Sequence, residues 1–160
     1  MIIMVDKTVL DEVIESISGM VDISDKEVQK RIATAKGRIY LSDISMDHIR
    51  SKTNPKGDVL ENAKLAAIHA VKKTPEMVFM CHPITISNVD VDFEVDENYI
   101  EVFVSVTTLN RTGVEIEAIA GVMNSLLAIF DLSKRFEKLN DGSYDTAKIS
   151  NIKVVKKIKS

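Results

Sequence analysis

Val89-Asp90-Val91-Asp92-Phe93-Glu94-Val95-Asp96 alternates without a break between apolar and acidic residues. Because successive side chains of a strand point to opposite faces, this segment predicts a β-strand with one buried and one solvated face. Ile100–Thr107 alternates again after Glu97-Asn98, so the two segments predict an antiparallel hairpin. A sheet with one solvated face is therefore the expected centre of the fold.

Helical patterns lie on both sides of this hairpin. One helix is predicted from Asp58, a residue type that favours the N-cap, to about Lys73, with Pro75 as its end. A longer helix is predicted from about Val114 to Lys138. The remaining predicted elements are a helix over Lys7–Ser18, a strand at Ile39–Leu41, a short helix over Asp43–Ser51 and a strand over Ile149–Ile158. This order favours an α+β fold of one domain, with helices packed on one face of an antiparallel sheet.

The composition is typical of a soluble globular protein, since the 160 residues are 45% hydrophobic and 28% charged. A formal net charge of −3 and an aromatic content of 5% argue against a nucleic-acid partner. The single cysteine cannot form an internal disulfide and suits a reducing compartment. No apolar run approaches the roughly 18 residues of a membrane span, and the N-terminus lacks a signal-peptide pattern. A cytoplasmic protein without a membrane partner is therefore expected.

Charge is unevenly distributed along the chain. Residues 85–101 contain six acidic residues and no basic one, whereas residues 134–160 contain eight basic residues and three acidic ones. The basic segment is consistent with an anionic ligand, and equally with a solvated surface.

Cys81-His82-Pro83 follows the end of the first long helix and is the first candidate for chemistry. His82 is a natural acid or base near neutral pH, and Pro83 favours an extended backbone before it. The pair makes a poor zinc site, because there is no second cysteine and no histidine at ligand spacing. The alternative is a packed cysteine beside a surface histidine.

Lys56-Gly57-Asp58 places a lysine just before a predicted helix N-terminus, where backbone amides already favour anions. The glycine-rich run of a P-loop is missing, so a solvated lysine before an N-cap explains the motif as well. Glu115 and Glu117 form a second candidate at the start of the long helix, because neighbouring carboxylates raise one pKa and favour a general acid. Favourable placement of acids in a first helical turn is the alternative there.

Polar and small residues recur at helical spacing along the long helix, and an exposed helix face would explain them. They are Glu117, Gly121, Asn124, Ala128, Asp131, Arg135 and Lys138. At 1.5 Å per residue, Glu117 and Asp131 lie roughly 21 Å apart on a continuous helix. One small ligand cannot contact both from a single chain, so they serve different purposes or belong to a site shared across a symmetric interface.

Three blocks in this order resemble the cyclic pyranopterin monophosphate synthase family, the MoaC-type proteins of molybdenum cofactor biosynthesis. The blocks are Lys56-Gly57-Asp58 with its alanine-rich helix, Cys81-His82-Pro83, and Gly113–Ala118 through Asp131-Leu132-Ser133-Lys134. The resemblance covers residues 21 to about 157. It implies a catalytic domain over residues 21–160 and leaves residues 1–20 as an N-terminal extension.

The resemblance further implies a ferredoxin-like α+β sandwich, assembled as a homohexamer (a trimer of dimers) with active sites at the dimer interface. Members convert a 3′,8-cyclised dihydro-GTP to cyclic pyranopterin monophosphate and release pyrophosphate, and no resident metal or cofactor is expected. The catalytic residues implied are Lys134, Asp131, His82, Glu117 and Lys56. The substrate-binding residues implied are Arg31 (or Lys30, if the alignment shifts by one), Lys72, Cys81, Glu115, Ile116 and Lys157. In a shared site, Lys56 and Lys134 are expected to come from different chains. The alternative function is a non-catalytic purine-nucleotide-binding regulatory module.

Overall fold

A computed structural model describes residues 19–160, so the helix predicted over Lys7–Ser18 lies outside the described residues. Four strands and three helices follow one another in these residues. They are β1 (Gln29–Tyr40), α1 (Asp43–Arg50), α2 (Val59–Met77), β2 (Asn88–Val95), β3 (Tyr99–Asn110), α3 (Glu115–Glu137) and β4 (Lys148–Lys159). The hairpin and both long helices are present where the sequence patterns predict them.

The four strands form one antiparallel sheet in the order β2-β3-β1-β4. Apart from the short α1, the elements follow a β-α-β-β-α-β succession, which with this strand order is the ferredoxin-like arrangement, so the predicted fold class is confirmed. α2 and α3 pack against each other, and α3 packs against β1, β3 and β4. The apolar side chains of the strands face these helices, and the other face of the sheet carries mostly polar residues.

β1 is far longer than the three residues at Ile39–Leu41 that the sequence pattern indicated. Its inward positions include Ala33, Ala35 and Gly37, which are fully buried or nearly so. A Cβ added to Gly37 would lie only 2.8 Å from the Val122 side chain on α3. The small residues thus permit the close approach of α3, and their weak strand propensity conceals β1 in the sequence.

The prediction that Pro75 ends α2 is wrong, because the helix continues to Met77. Proline lacks the N–H that would donate to the Val71 carbonyl. The buried Thr74 hydroxyl lies 3.1 Å from that oxygen and 3.0 Å from the Ala70 carbonyl oxygen. A side-chain donor therefore compensates for the missing backbone donor.

The stripe of polar and small residues on α3 is a helix contact in its first part, whereas Asp131, Arg135 and Lys138 lie on an exposed face as predicted. Gly121 is buried, and a Cβ there would lie 3.0 Å from the Val71 side chain on α2. Asn124 Nδ2 donates to the Ala66 carbonyl of α2 at 3.0 Å. Among the described residues, α3 is also the one helix long and apolar enough to span a membrane, but burial of one face against the sheet suits the core helix of a globular protein.

Candidate functional site

A cleft of about 470 Å³ lies at the N-terminal end of α3. The segment after α2, the turn between β3 and α3, and the ends of β1 and β4 all contribute to its walls. Five cationic side chains and one carboxylate line it: Lys26, Arg31, Arg111, Lys157, Lys159 and Glu115. This excess of positive charge, in a chain whose net charge is −3, favours an anionic ligand.

Strand pairing explains how these distant residues meet. Arg31 on β1 lies opposite Lys159 on β4, and Ala33 lies opposite Lys157, so both lysines project from the β4 end beside the cleft. Arg31 Nε donates to the Asn110 carbonyl at 3.0 Å, which holds the turn before α3.

Glu115 is the first residue of α3 and forms an ion pair with Lys157. Partial burial raises the pKa of Glu115, but the ion pair with Lys157 outweighs it, so the pKa lies below the usual value. Glu115 therefore remains a carboxylate that fixes Lys157 at the mouth of the cleft.

Glu117 points away from Glu115 and into the protein, since residues two apart on a helix face different directions. Only 1% of Glu117 is exposed. Burial raises its pKa, and the nearby Glu115 carboxylate raises it further. Its Oε1 accepts a hydrogen bond from the Cys81 thiol at 3.3 Å.

Cys81 and His82 both line the cleft and are half-buried. Burial and then the Glu117 carboxylate raise the pKa of the Cys81 thiol to about 11. The thiol is therefore protonated near neutral pH and acts as a hydrogen-bond donor rather than a nucleophile. His82 and Glu117 are the groups here that suit proton transfer.

A second cluster lies near the other end of α3. Lys134 Nζ is 2.7 Å from Asp131 Oδ1, and Lys56 Nζ is 3.1 Å from Asp131 Oδ2. The hydrogen bond from Lys134 and then that from Lys56 lower the pKa of Asp131. Asp131 in turn raises the pKa of Lys134, so this lysine is an ammonium group at neutral pH.

Asn54 holds the loop that carries Lys56 against α3. Its side chain is buried, and Nδ2 donates to the Leu132 carbonyl at 2.9 Å. Its Oδ1 accepts from the Lys56 backbone N–H at 2.9 Å. Asn54 thereby sets the position of Lys56 beside Asp131, a role that its place in an Asn-Pro turn did not reveal.

The structure divides the predicted site residues into separate groups. Six of them line the cleft, and Glu117 is buried behind it; the six are His82, Cys81, Glu115, Ile116, Arg31 and Lys157. The second cluster consists of Lys56, Asp131 and Lys134. Lys72 lines a neighbouring cleft of about 390 Å³, which shares Ile84 with the first. Lys56 and Lys134 contact the same carboxylate of one chain, so the expectation that they come from different chains is wrong.

Three cations of the cleft were missed by the sequence patterns: Lys26, Arg111 and Lys159. Arg111 had a usable signal, because it lies two residues before the Gly113–Ala118 block. Lys159 belongs to a basic tail in which nothing distinguishes one lysine from another. Within residues 19–160, no three His, Cys, Asp or Glu side chains are grouped as a metal site.

Comparison with known proteins gives concordant matches. Residues 20–160 match the model of the MoaC family. A Methanococcoides burtonii protein named probable cyclic pyranopterin monophosphate synthase is 48% identical over 140 residues, 88% of each chain. A Pyrococcus horikoshii protein of the same name is 46% identical over 141 residues, 88% of this chain and 89% of the other. A Methanothermobacter thermautotrophicus protein named probable cyclic pyranopterin monophosphate synthase accessory protein is 46% identical over 140 residues, 88% of each chain.

Proposed function

The chain belongs to the MoaC family, and on that premise we propose that it converts a 3′,8-cyclised dihydro-GTP to cyclic pyranopterin monophosphate with release of pyrophosphate. The product is an intermediate of molybdenum cofactor biosynthesis, and the reaction makes the enzyme a phosphorus–oxygen lyase. The observation that carries this function is a strongly cationic cleft that also contains His82 and adjoins the buried Glu117. The cleft can therefore bind a polyanion next to groups that transfer protons.

The triphosphate of the substrate binds to the cationic lining of the cleft. Arg31, Lys157 and the cations that the sequence patterns missed supply hydrogen bonds and charge neutralisation. Lys72 extends this lining into the neighbouring cleft. When a sugar hydroxyl attacks the α-phosphorus, one P–O bond forms and the P–O bond to pyrophosphate breaks. That step needs positioning and charge neutralisation, which these side chains provide.

Opening and reclosure of the purine-derived ring requires several proton transfers. Glu117 suits a general acid, because its raised pKa allows it to hold a proton closer to neutral pH. Cys81 donates to Glu117 and orients it. His82, on the cleft wall, is the second group for proton transfer, and Ile116 contributes an apolar contact at the rim.

Lys134 acts in its ammonium form as a proton donor or charge partner, because Asp131 stabilises the charge. Lys56 shares the same carboxylate and contributes a second ammonium group. Asp131, which both lysines contact, lies 14 residues after Glu117, roughly 21 Å along α3. The cluster therefore completes the cleft of another copy, in an active site at a dimer interface of a homohexamer.

Residues 21–160 form the catalytic domain of a cytoplasmic enzyme, and residues 1–20 are an N-terminal extension. The proposed reaction requires no resident cofactor, and neither a nucleic acid nor a membrane takes part in it.

The assay supplies purified protein with the cyclised GTP intermediate and follows pyrophosphate and the cyclic product. The proposal predicts stoichiometric formation of both. Binding of the intermediate without any turnover would overturn it and would instead indicate a regulatory nucleotide-binding module.

A further inference from the structure

A tight turn after α3 fixes the position of Tyr144. The Gly142 backbone N–H donates to the Leu139 carbonyl at 2.9 Å, and the Leu139 N–H donates to the Ser143 carbonyl at 3.0 Å. Gly142 has a φ of +89°, in the left-handed region that favours glycine. The Asp141 carboxylate accepts from the Ser143 backbone N–H at 2.9 Å and from its hydroxyl at 2.7 Å. Because these bonds hold the chain just before Tyr144, its side chain has a defined direction.

The Tyr144 ring packs against Phe130 on α3, with the ring centroids 5.5 Å apart and the planes at 60°. Phe130 and Lys134 are four residues apart on this helix, so their side chains are neighbours on one face. Asp131 is the main cause of the raised pKa of Lys134, and the nearby Tyr144 phenol adds to it. Tyr144 is 37% exposed and Lys134 is exposed as well, so both remain accessible to a ligand.

Tyr144 extends the cluster of Lys56, Asp131 and Lys134 by an aromatic ring. Asp131 accepts from Lys134 at 2.7 Å with one carboxylate oxygen and from Lys56 at 3.1 Å with the other. An ammonium group has several N–H donors, so Lys134 keeps donors for a ligand beyond its bond to Asp131. An accessible ring and accessible donors therefore lie side by side at this end of α3.

The clefts supply charge but no aromatic wall. Among residues 19–160, no phenylalanine or tyrosine lines the cationic cleft or its neighbour. Planar nucleobases commonly bind to proteins by stacking on aromatic side chains. Tyr144 provides such a surface beside a cluster that already belongs to the proposed site.

The ammonium group of Lys134 selects among purine rings. A guanine-type ring carries a carbonyl oxygen at C6, which accepts from an ammonium group, whereas an adenine-type ring carries an amino group there. Against Lys134, that amino group would place two hydrogen-bond donors face to face. A ring that packs on Tyr144 with its C6 edge toward Lys134 is therefore a 6-oxopurine or a ring derived from one.

We infer that Tyr144 is a further substrate-binding residue, against which a purine-derived ring packs while Lys134 donates to the carbonyl oxygen at C6. The identification of this ring with that of the cyclised dihydro-GTP rests on the proposed function. Tyr144 and Lys134 then determine specificity for the ring, and the cations of the cleft bind the triphosphate.

Calorimetric titration with GTP, ATP and inorganic triphosphate tests this contact without any turnover. The wild-type protein should bind GTP more tightly than ATP. Tyr144→Ser should weaken GTP binding about tenfold, within the range that stacking on an aromatic side chain contributes, and leave inorganic triphosphate unaffected. Tyr144→Phe keeps the ring and should bind GTP like the wild type. Phe79→Ser is the matched control, because this ring is 86% exposed and lines neither cleft, and it should change nothing.

Tyrosine fluorescence provides an independent measurement, because the chain has three tyrosines and no tryptophan. The other two, Tyr40 and Tyr99, contact each other on β1 and β3, with ring centroids 5.6 Å apart. Tyr40→Phe together with Tyr99→Phe leaves Tyr144 as the one fluorophore. After correction for nucleotide absorbance, GTP should quench its emission, and inorganic triphosphate should not.

Absence of this quenching overturns the contact, even in a protein that turns over the cyclised intermediate. So does a folded Tyr144→Ser protein that binds GTP as tightly as the wild type. Equal losses of affinity for GTP and inorganic triphosphate would assign Tyr144 a structural role and overturn the contact as well. If Tyr144→Ser does not fold, the quenching result decides. Conversely, GTP binding that quenches Tyr144 in a protein without turnover supports the contact and rejects the proposed function.

Discussion

The thiol of Cys81 donates to the buried carboxylate of Glu117 across 3.3 Å. Burial raises the pKa of both groups; the Glu117 carboxylate raises the pKa of the thiol further, whereas the hydrogen bond from the thiol partly offsets the rise for Glu117. Cys81 lines the cationic cleft and Glu117 lies behind it, and both groups retain protons to higher pH than they would in water. This relationship suits Glu117 to the proposed proton transfer and gives its burial a cost to stability.

Glu117→Gln is expected to abolish turnover and to stabilise the fold at neutral and alkaline pH. The folded-state pKa of Glu117 lies above the usual 4.5, so the wild-type protein loses stability as pH rises from that value through the raised pKa. Glutamine keeps an oxygen that accepts from Cys81 but never ionises. In thermal unfolding from pH 4 to 9, the Glu117→Gln variant should therefore melt at a higher temperature than the wild type at neutral and alkaline pH, and at the same temperature at pH 4.

Glu94→Gln is the control, because this carboxyl is exposed on β2. It should give the same melting temperature as the wild type at every pH. A Glu117→Gln protein without any pH-dependent gain would show that the carboxyl has the same pKa in the folded and the unfolded states.

Lys134→Ala is expected to remove turnover and leave the fold intact. Lys134 is exposed on α3, so its loss costs little packing, and alanine favours helix. Lys64→Ala, an exposed lysine on α2 outside the clefts, should retain wild-type activity. The rate of pyrophosphate release and the melting temperature of both variants provide the check. Near-normal product formation by Lys134→Ala would exclude a catalytic role for this lysine.

Much of the fold was predictable where side-chain chemistry alternates strongly. The acidic and apolar alternation of β2, and the capping aspartate of α2, are local signals that tertiary contacts reinforce. Most of β1 was not predicted because Ala33, Ala35 and Gly37 have weak strand propensity. These small residues are needed only where α3 packs closely against β1 in the folded chain. The end of α2 was misplaced because the Thr74 hydroxyl compensates for Pro75.

The sequence motifs identified many of the site residues, but they did not predict how those residues are arranged in space. Cys81 and Glu117 are far apart in sequence, and their hydrogen bond depends on how α2 packs against α3. Lys56 and Lys134 looked separable in sequence, yet Asn54 and Asp131 join them on one surface. Lys26 and Lys159 are far apart in sequence and line the same cleft only because β1 pairs with β4.

The Thr74 hydroxyl is expected to account for the persistence of α2 beyond Pro75. Thr74→Val keeps the shape but removes the donor to the Val71 carbonyl, so the free energy of unfolding should fall by about 1–2 kcal/mol. Pro75→Ala restores a backbone N–H at the same place. The double variant should therefore recover most of the loss, as measured by urea denaturation. If Thr74→Val costs the same in both backgrounds, the hydroxyl and the proline are independent.

Mixed assemblies distinguish a shared site from two separate ones. If the cleft of one copy is completed by the cluster of another, His82→Ala and Lys134→Ala subunits together form one intact site in each mixed dimer. Random exchange of equal amounts should then restore about a quarter of wild-type pyrophosphate release, since half the dimers are mixed and half their sites are intact. Lys56→Ala mixed with Lys134→Ala should restore none, because both residues belong to the same cluster around Asp131. Subunit exchange verified by native mass spectrometry, with no activity from the first mixture, would place the whole site within a single chain.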